Sequence, residues 1–318
     1  MNKKVMVAMS GGVDSTVAAY ILFDQGYEVC GATLKLYDND DLAIDDTTRT
    51  CCSLADVEDA KIAAGRLGLR HYVFNFGLHF RRDVMERFSN AYQEGETPNP
   101  CIDCNRYIKF SKLLERAMIL GNDYIATGHY AKIEYDKESC RHLLKRSKDV
   151  TKDQTYVLYA MTQFELSRTL FPLGDMVKSE VRQLAETRGL INAEKPDSQD
   201  ICFVKDGNYA EFLTNAMGVK SRPGSFVDKE GAPIGRHKGV IHYTLGQRRG
   251  LNISMGKRKY VTGINVEDNT VTLGEDEDLM RNSLMARDVN LISVDQLKEP
   301  MAVTAKIRYS AKESPATI

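Results

Sequence analysis

The sequence predicts an α/β fold whose N-terminal domain is built on a doubly wound parallel sheet. Strand and helix patterns alternate over about the first two hundred residues. A Gly-Gly turn follows the first apolar run, at the position where ligands bind in such sheets. After about Asp206 the pattern changes to short alternating strands, which predicts smaller β-rich parts behind the first domain.

The elements of the N-terminal domain follow in regular order. Apolar runs predict strands over residues 5–9, 28–37, 71–76 and 124–127. Helices are predicted over residues 16–25, 56–67, 80–94, 110–120 and 178–188. In the third of these helices Phe80, Val84 and Phe88 recur at helical spacing, as expected for one buried face.

Residues 10–15, Ser-Gly-Gly-Val-Asp-Ser, lie between the first strand and the first helix. Glycines let backbone N–H groups approach an oxyanion, and the helix start adds the positive end of its dipole. The hydroxyl groups of Ser10, Ser15 and Thr16 are expected to add donors. There is no Gly-Lys-Ser/Thr and no Gly-x-Gly-x-x-Gly, which excludes a Walker loop and a dinucleotide fingerprint. The pattern resembles the loop of enzymes that split ATP into AMP and pyrophosphate; an ordinary turn with two glycines is the alternative.

The chain divides into three predicted domains, at residues 1–206, 207–283 and 284–318. A helix over 209–217 and hairpin patterns over 226–231 and 264–273 characterise the second domain. In the third, Val303, Ala305, Ile307 and Tyr309 alternate with polar residues, which predicts a half-buried strand. The sequence ends where a second strand should run, so we expect a truncated C-terminal β-domain, with a small β appendage as the alternative.

Composition places the chain among globular proteins. Of 318 residues, 42% are hydrophobic and 27% charged, and the formal net charge is −1, so bulk charge indicates no nucleic-acid partner. No apolar run is long enough to span a bilayer and no leader pattern follows Met1, which predicts a cytoplasmic protein. Seven cysteines in a reducing compartment indicate thiols, ligands or catalytic groups rather than structural disulfides.

Two cysteines stand in polar surroundings. Cys104 follows a proline-stiffened loop and lies near a predicted helix start, where the helix dipole lowers the pKa of a thiol. Cys202 ends the polar run 196–201. Reactive thiols are predicted at both, with core packing as the alternative. Cys101 and Cys104 form a Cys-x-x-Cys pair, which also suits a redox pair or half a zinc site, although no second such pair completes a zinc site.

Five motifs occur in an order that resembles bacterial tRNA-specific 2-thiouridylases over nearly the whole chain. They are residues 10–15, Asn99-Pro100-x-x-x-Cys104-Asn105, Gly128-His129-Tyr130-Ala131, Lys152-Asp153-Gln154 and Ser198-x-x-x-Cys202-Phe203. The resemblance implies an enzyme that adenylates the C2 oxygen of the wobble uridine in tRNA with ATP and replaces it with persulfide sulfur. It also implies a pyrophosphate-loop domain, a β-rich tRNA-binding central domain, and a C-terminal β-barrel of which residues 284–318 form the start.

The resemblance implies which residues of this sequence form the functional site. It implies that ATP, with Mg²⁺, is bound by Ala8, Met9, Ser10, Gly11, Gly12, Val13, Asp14, Ser15, Leu34 and Gly128. It makes Cys104 the nucleophile and Cys202 the cysteine that carries the persulfide. It places tRNA against Asn99, Pro100, Cys101, His129, Lys152, Asp153, Gln154, Arg308 and Tyr309. The partners implied are a tRNA with a wobble uridine and a persulfide-carrying donor protein, with no membrane.

Alternatives remain open at the cysteines and at the reaction. Some family members have an aspartate, proposed as a general base, where this chain has Cys101. In this chain Asp103 is a candidate to replace that base. Cys101, Cys104 and Cys202 together would suffice for a 4Fe–4S cluster with one open iron, in place of a persulfide and resolving pair that form a disulfide. An amidating ligase that shares the loop, and a non-catalytic tRNA-binding protein, are the competing functions.

Overall fold

The computed structural model describes residues 2–37, 54–190, 201–204, 207–253 and 257–318. A five-stranded sheet in the order β3-β2-β1-β4-β7 forms the centre of the N-terminal part. Its strands are β1 (Lys4–Ala8), β2 (Glu28–Lys35), β3 (Arg70–Asn75), β4 (Tyr124–Ala126) and β7 (Thr169–Leu170). All neighbouring pairs are parallel, and the strand order reverses between β1 and β4. The predicted doubly wound sheet is therefore confirmed, and its ligand crevice lies at the carboxyl ends of these two strands.

Helices cover both faces of this sheet, which explains why β1 is a continuous apolar run. Val5 and Val7 point to one face, where helices α1 (Val13–Asp24) and α2 (Leu54–Arg66) pack. Met6 points to the other face, into the largest hydrophobic core of the molecule. Helix α8 (Lys178–Thr187) packs on the outer side of α1.

Two long helical stretches supply the aromatic side of the large core. The first consists of α3 (Gly77–Phe80), the π-helical turns Arg81–Met85 and α4 (Glu86–Gln93). The second consists of α5 (Pro100–Asp103), the π-helical turns Cys104–Leu113 and α6 (Leu114–Ile119). The second begins ten residues before the predicted position, because Asn99 caps it and Pro100 fits its first turn.

Several short elements were not predicted. A hairpin of β5 (Lys132–Asp136) and β6 (Arg141–Lys145) follows β4, and a 3₁₀ turn covers Thr155–Val157. Helix α7 (Gln163–Ser167) then leads into β7, which has only two residues.

The central region begins with helix α9 (Tyr209–Asn215), whose Phe212 and Leu213 join the large core. A four-stranded sheet in the order β10-β11-β8-β9 follows, from β8 (Gly224–Val227), β9 (Pro233–His237), β10 (Tyr260–Asn265) and β11 (Thr270–Gly274). It has its own small core, in which Phe226 and Val261 are buried. Both predicted hairpins are present.

The C-terminal region contains the antiparallel pair β12 (Ala302–Ala305) and β13 (Ser314–Thr317). The predicted strand through Ile307 and Tyr309 is wrong beyond Ala305, because the chain turns there and both side chains are exposed. Within the described residues, no helix is both long and apolar enough to cross a bilayer.

Candidate functional site

The turn between β1 and α1 has the backbone of an anion site. Gly11 adopts a φ of +72°, and a Cβ built on it would lie 2.6 Å from the carbonyl oxygen of Asp56. Only glycine fits this conformation and this space. Gly12 is the N-cap of α1 and has no side chain with which to cap that helix start. The first turn of a twelve-residue helix therefore faces the crevice at the carboxyl end of β1.

Two hydroxyl groups that were expected to donate to an anion are used within the loop. Ser15 Oγ and Thr16 Oγ1 donate to the carbonyl oxygen of Gly12, over 3.1 and 3.0 Å. Ser15 Oγ also accepts from the backbone N–H of Ser10, at 3.2 Å. These two hydroxyls therefore shape the loop, and the exposed Ser10 is the hydroxyl in a position to face a ligand.

Asp14, the acidic residue of the loop, is held by two side chains. Lys178 Nζ lies 2.8 and 2.7 Å from its two carboxylate oxygens, and Tyr130 Oη donates to Oδ1 over 2.8 Å. The lysine side chain is only 12% exposed, so the charge of Asp14 is balanced in a partly desolvated setting. Neither Tyr130 nor Lys178 was predicted as a site residue.

The Gly128-His129-Tyr130 segment follows β4 and packs directly on the start of α1. A Cβ built on Gly128 would lie 2.8 Å from the backbone of Asp14 and Ser15, so the close approach requires glycine. His129 is buried, with Nδ1 2.7 Å from Thr127 Oγ1. Burial, and then the charge of Lys109, hold the pKa of His129 well below its usual value. The imidazole is therefore neutral, which excludes a charged contact with a phosphate in this conformation.

Leu34 lies near the carboxyl end of β2, buried in the large core. It therefore stands at the same edge of the sheet as Ala8, which ends β1, and Met9, which follows it. This is the edge at which a nucleotide would meet the loop.

Cys104 is the first residue of the π-helical turns in the second helical stretch. Asn99 accepts from the backbone N–H of Cys101 over 3.1 Å and so fixes the start of this stretch. Cys101 is exposed and Cys104 is buried in the large core. A π-helical insertion re-aims the side chains of a helix and is frequent at functional sites.

Asp103, between these cysteines, is bonded to Arg87 Nε at 3.3 Å. Burial raises the pKa of its carboxyl group, and Arg87 opposes that shift.

Cys202 reaches the same core from a different part of the chain. Its carbonyl oxygen accepts from Tyr37 Oη over 2.5 Å, just beyond the end of β2. The next residue, Phe203, packs edge-on against Phe80 and Phe88. Cys202 itself packs on the hydrophobic cluster that contains Cys104. Neither residue forms a disulfide with another described cysteine, and Ser198 of the same motif lies outside the described residues.

The three cysteines do not fit a metal cluster in this conformation. Among the residues that the structure describes, no three histidine, cysteine or acidic side chains lie close enough to hold a metal ion. Cys101 also differs from Cys104 in exposure. We therefore derive no step through an iron–sulfur cluster.

Two of the predicted tRNA-contacting segments, residues 152–154 and residues 308–309, lie next to each other. Tyr309 Oη donates to the carbonyl oxygen of Asp153 over 3.3 Å, and Arg308 donates to that of Leu245 over 2.8 Å. The carboxylate of Asp153 accepts from the backbone of Ser147 and shapes its own loop.

Gln154 is likewise engaged, because its side chain and its backbone N–H both bond the backbone of Tyr130. Lys152 is the half-exposed cation of this loop.

Comparisons with known proteins agree on the family. Residues 3–206 match the family model described as tRNA methyl transferase HUP domain, and residues 210–275 match the tRNA methyl transferase PRC-barrel domain.

The U34-tRNA thiolase NcsA of Methanococcus maripaludis, solved with its 4Fe–4S cluster, has a TM-score of 0.39 and 18% identity, covering 67% of this chain and 64% of that one. A similarity at that level carries no argument about this chain.

Two curated relatives are far more similar. The tRNA-specific 2-thiouridylase MnmA of Clostridioides difficile is 52% identical over 318 residues, which is 100% of this chain and 88% of that protein. The protein of the same name from Acetivibrio thermocellus is 51% identical over 316 residues, 99% of this chain and 88% of that one. By this level of identity over its whole length, the chain belongs to the family of tRNA-specific 2-thiouridylases.

Proposed function

We propose that the protein is an ATP-dependent tRNA-uridine 2-sulfurtransferase that converts the wobble uridine of tRNA to 2-thiouridine. The observation that supports this proposal is that Cys104 and Cys202 pack on one hydrophobic core in a chain whose β1–α1 turn has the backbone of an anion site. An amidating ligase would need the turn but not the two thiols.

The first step activates the substrate. A uracil C2 carbonyl is a poor electrophile, and its oxygen is a poor leaving group. Attack of the C2 oxygen on the α-phosphorus of ATP forms a C2–O–P bond and breaks the bond to pyrophosphate. The glycine turn and the start of α1 would stabilise the departing pyrophosphate. We propose that Mg²⁺ accompanies ATP and neutralises charge on this leaving group.

The second step transfers sulfur. The terminal sulfur of a persulfide on Cys202 attacks C2, forming a C–S bond, and AMP leaves with the former C2 oxygen. The Cys104 thiolate then attacks the Cys202 sulfur and breaks the S–S bond, which leaves 2-thiouridine and a Cys104–Cys202 disulfide. The two thiols supply two electrons, so an external thiol reductant and a persulfide-carrying donor protein must restore the enzyme.

The remaining roles are proposed on the family's motifs. ATP contacts are assigned to Ala8, Met9, Ser10, Gly11, Gly12, Val13, Asp14, Ser15, Leu34 and Gly128, and tRNA contacts to Asn99, Pro100, Cys101, His129, Lys152, Asp153, Gln154, Arg308 and Tyr309. The burial of His129 favours contact through its backbone. We propose domains at residues 1–206, 207–283 and 284–318, and a cytoplasmic location, where such a substrate occurs.

The test incubates the protein with ATP, a persulfide donor, a thiol reductant and a tRNA that has uridine at the wobble position. We expect nucleosides with the mass change of sulfur replacing oxygen, together with AMP and pyrophosphate. A tRNA with cytidine at that position is the control and should stay unmodified. A methyl-group mass gain, or ADP as the product, would contradict the proposal.

A further inference from the structure

The segment of residues 149–157, here called the bridging segment, contains the predicted tRNA contacts Lys152, Asp153 and Gln154. It makes hydrogen bonds to three other parts of the protein. These are Tyr130 and Lys178, which hold Asp14 of the ATP loop; Asn105 in the helical stretch of Cys104; and the C-terminal region.

Towards the ATP loop, the bridging segment makes two connections that end on the same carboxylate. Gln154 bonds both backbone polar groups of Tyr130, over 2.9 Å each, and Tyr130 Oη donates to Asp14. Asp149 accepts from the backbone N–H of Lys178 over 2.9 Å, and Lys178 Nζ binds Asp14. Two independent routes thus lead from this segment to the first turn of α1.

Towards the nucleophile, the connection runs through the residue after Cys104. Asn105 Nδ2 donates to the carbonyl oxygen of Val157 over 2.9 Å. Asn105 is buried, and its Oδ1 has no hydrogen-bond partner among the described residues, so the side chain keeps this orientation at a cost. The bond therefore ties the π-helical turns to the end of the bridging segment.

On its outer side, the bridging segment meets the predicted tRNA contacts of the C-terminal region. Tyr309 donates to the carbonyl oxygen of Asp153, and Tyr156 Oη donates to that of Ile307 over 3.2 Å. A tRNA that touches both regions would thus act on a segment that is connected to Asp14 through Tyr130 and Lys178.

We propose that the bridging segment couples tRNA docking to ATP binding, and that Tyr130 is the positioning residue that transmits the coupling to Asp14. The inference rests on the proposed function, since it takes tRNA and ATP as the two ligands. Coupling of this kind is reciprocal, so each ligand must change the affinity for the other by the same factor.

The experiment measures the affinity of a non-hydrolysable ATP analogue with and without saturating tRNA. For the unmodified protein we expect tRNA to raise that affinity by a factor of about 5–150. Tyr130→Phe keeps the buried ring and removes only the hydroxyl, and we expect the factor to decrease. The part that remains is attributed to the second connection, through Asp149 and Lys178. The affinity for tRNA with and without the analogue must change in parallel.

Tyr20→Phe is the matched control, because Tyr20 Oη also donates to an aspartate of α1, Asp24, at the far end of that helix. It should retain the coupling factor of the unmodified protein. A purely structural role of Tyr130 would lower the thermal stability of Tyr130→Phe and leave the factor unchanged, which would overturn the proposal. If the unmodified protein thiolates tRNA but has a coupling factor of one, the coupling proposal is overturned and the proposed function stands. If the unmodified protein forms no 2-thiouridine, the proposed function itself is overturned.

Discussion

Gly11 occupies a position that combines a left-handed backbone with a close contact. A Cβ there would be strained by the φ of +72° and would also collide with the carbonyl oxygen of Asp56. Gly121 has a similar φ of +75°, but a Cβ at that position would meet nothing within 4 Å. A substitution at Gly121 therefore isolates the backbone strain from the collision.

We expect Gly121→Ala to destabilise the protein by about 1–2 kcal/mol, the cost of left-handed backbone alone. Gly11→Ala should cost more, and should also weaken ATP binding because the loop must shift. Urea unfolding and titration with an ATP analogue measure the two effects. Equal losses of stability and unaltered ATP binding in both variants would show that the loop tolerates a Cβ.

Variants of Cys104 and Cys202 distinguish the sulfur-transfer step from the activation of the substrate. Replacing either by serine should lower 2-thiouridine formation by a factor on the order of a thousand or more, since the nucleophile is lost. Formation of pyrophosphate should continue in both variants, because the activation step does not use these thiols. Cys202→Ser should also lose AMP release, because AMP leaves only when the persulfide sulfur attacks C2. Pyrophosphate, AMP and 2-thiouridine are measured in one reaction.

Cys140→Ser is the control for these variants. Cys140 is exposed in the turn between β5 and β6. Its replacement should leave thiolation unchanged. Thiolation by Cys104→Ser at the rate of the control would remove Cys104 from the mechanism.

At the scale of elements, the helical stretch from Pro100 to Ile119 depends on its N-cap. Asn99 satisfies a backbone N–H of the first turn. Asn99→Ala should therefore cost about 1 kcal/mol of stability, whereas Asn99→Asp should keep the cap. If Asn99 also contacts the target base, Asn99→Asp restores stability but not thiolation. If Asn99→Asp recovers both the stability, measured by urea unfolding, and the thiolation, measured by kcat/KM, then capping is the whole role of Asn99.

The sheet and the ATP loop could be predicted because their signals are local. The apolar run of β1 and the adjacent glycines lie within ten residues of each other in sequence. The start of the second helical stretch had a readable signal, Asn99-Pro100, a capping residue followed by a residue suited to the first turn. Strand β7 had none, since two residues show no periodicity.

The partners of Asp14 could not be predicted from one sequence. Tyr130 and Lys178 are separated from it by 116 and 164 residues. No spacing rule reaches that far, and only the folded sheet brings the three side chains together.

For the whole molecule, four buried or half-buried histidines predict that the stability depends on pH. Burial lowers the pKa values of His71, His129, His237 and His242 in the folded state. The unfolded chain, with values near 6.5, then binds more protons as pH falls. Stability is therefore full above about pH 6.5 and is lost as pH falls below it.

We expect the urea midpoint to fall between about pH 7.5 and about pH 5.5, on either side of the unfolded-state value. His129→Asn, which can keep a bond to Thr127 without titrating, should reduce that fall. His142→Asn, on strand β6, controls for the asparagine itself. A fall of unchanged size in His129→Asn would show that the buried imidazole does not set this pH dependence.

Across its surface, the protein must bind a polyanion although its net charge is only −1. A groove of about 550 Å³ in the central region is lined by Arg248, Lys257, Arg258 and Lys259. Both lysines lie near Glu275, at 3.8 and 3.4 Å. Within the described parts of the chain, neither arginine has an acidic partner, so both are available for phosphates.

Because each phosphate contact releases counterions, tRNA affinity should fall with salt in proportion to the number of contacts. Arg248→Gln and Arg258→Gln should each weaken tRNA binding and reduce the slope of log affinity against log salt by about 0.7–0.9. Lys229→Gln, at an exposed turn of the same region, should leave the slope unchanged. Since none of the proposed ATP contacts lines this groove, neither arginine variant should alter affinity for the ATP analogue measured without tRNA. A slope that is the same in all four proteins would place the phosphate contacts elsewhere on the molecule.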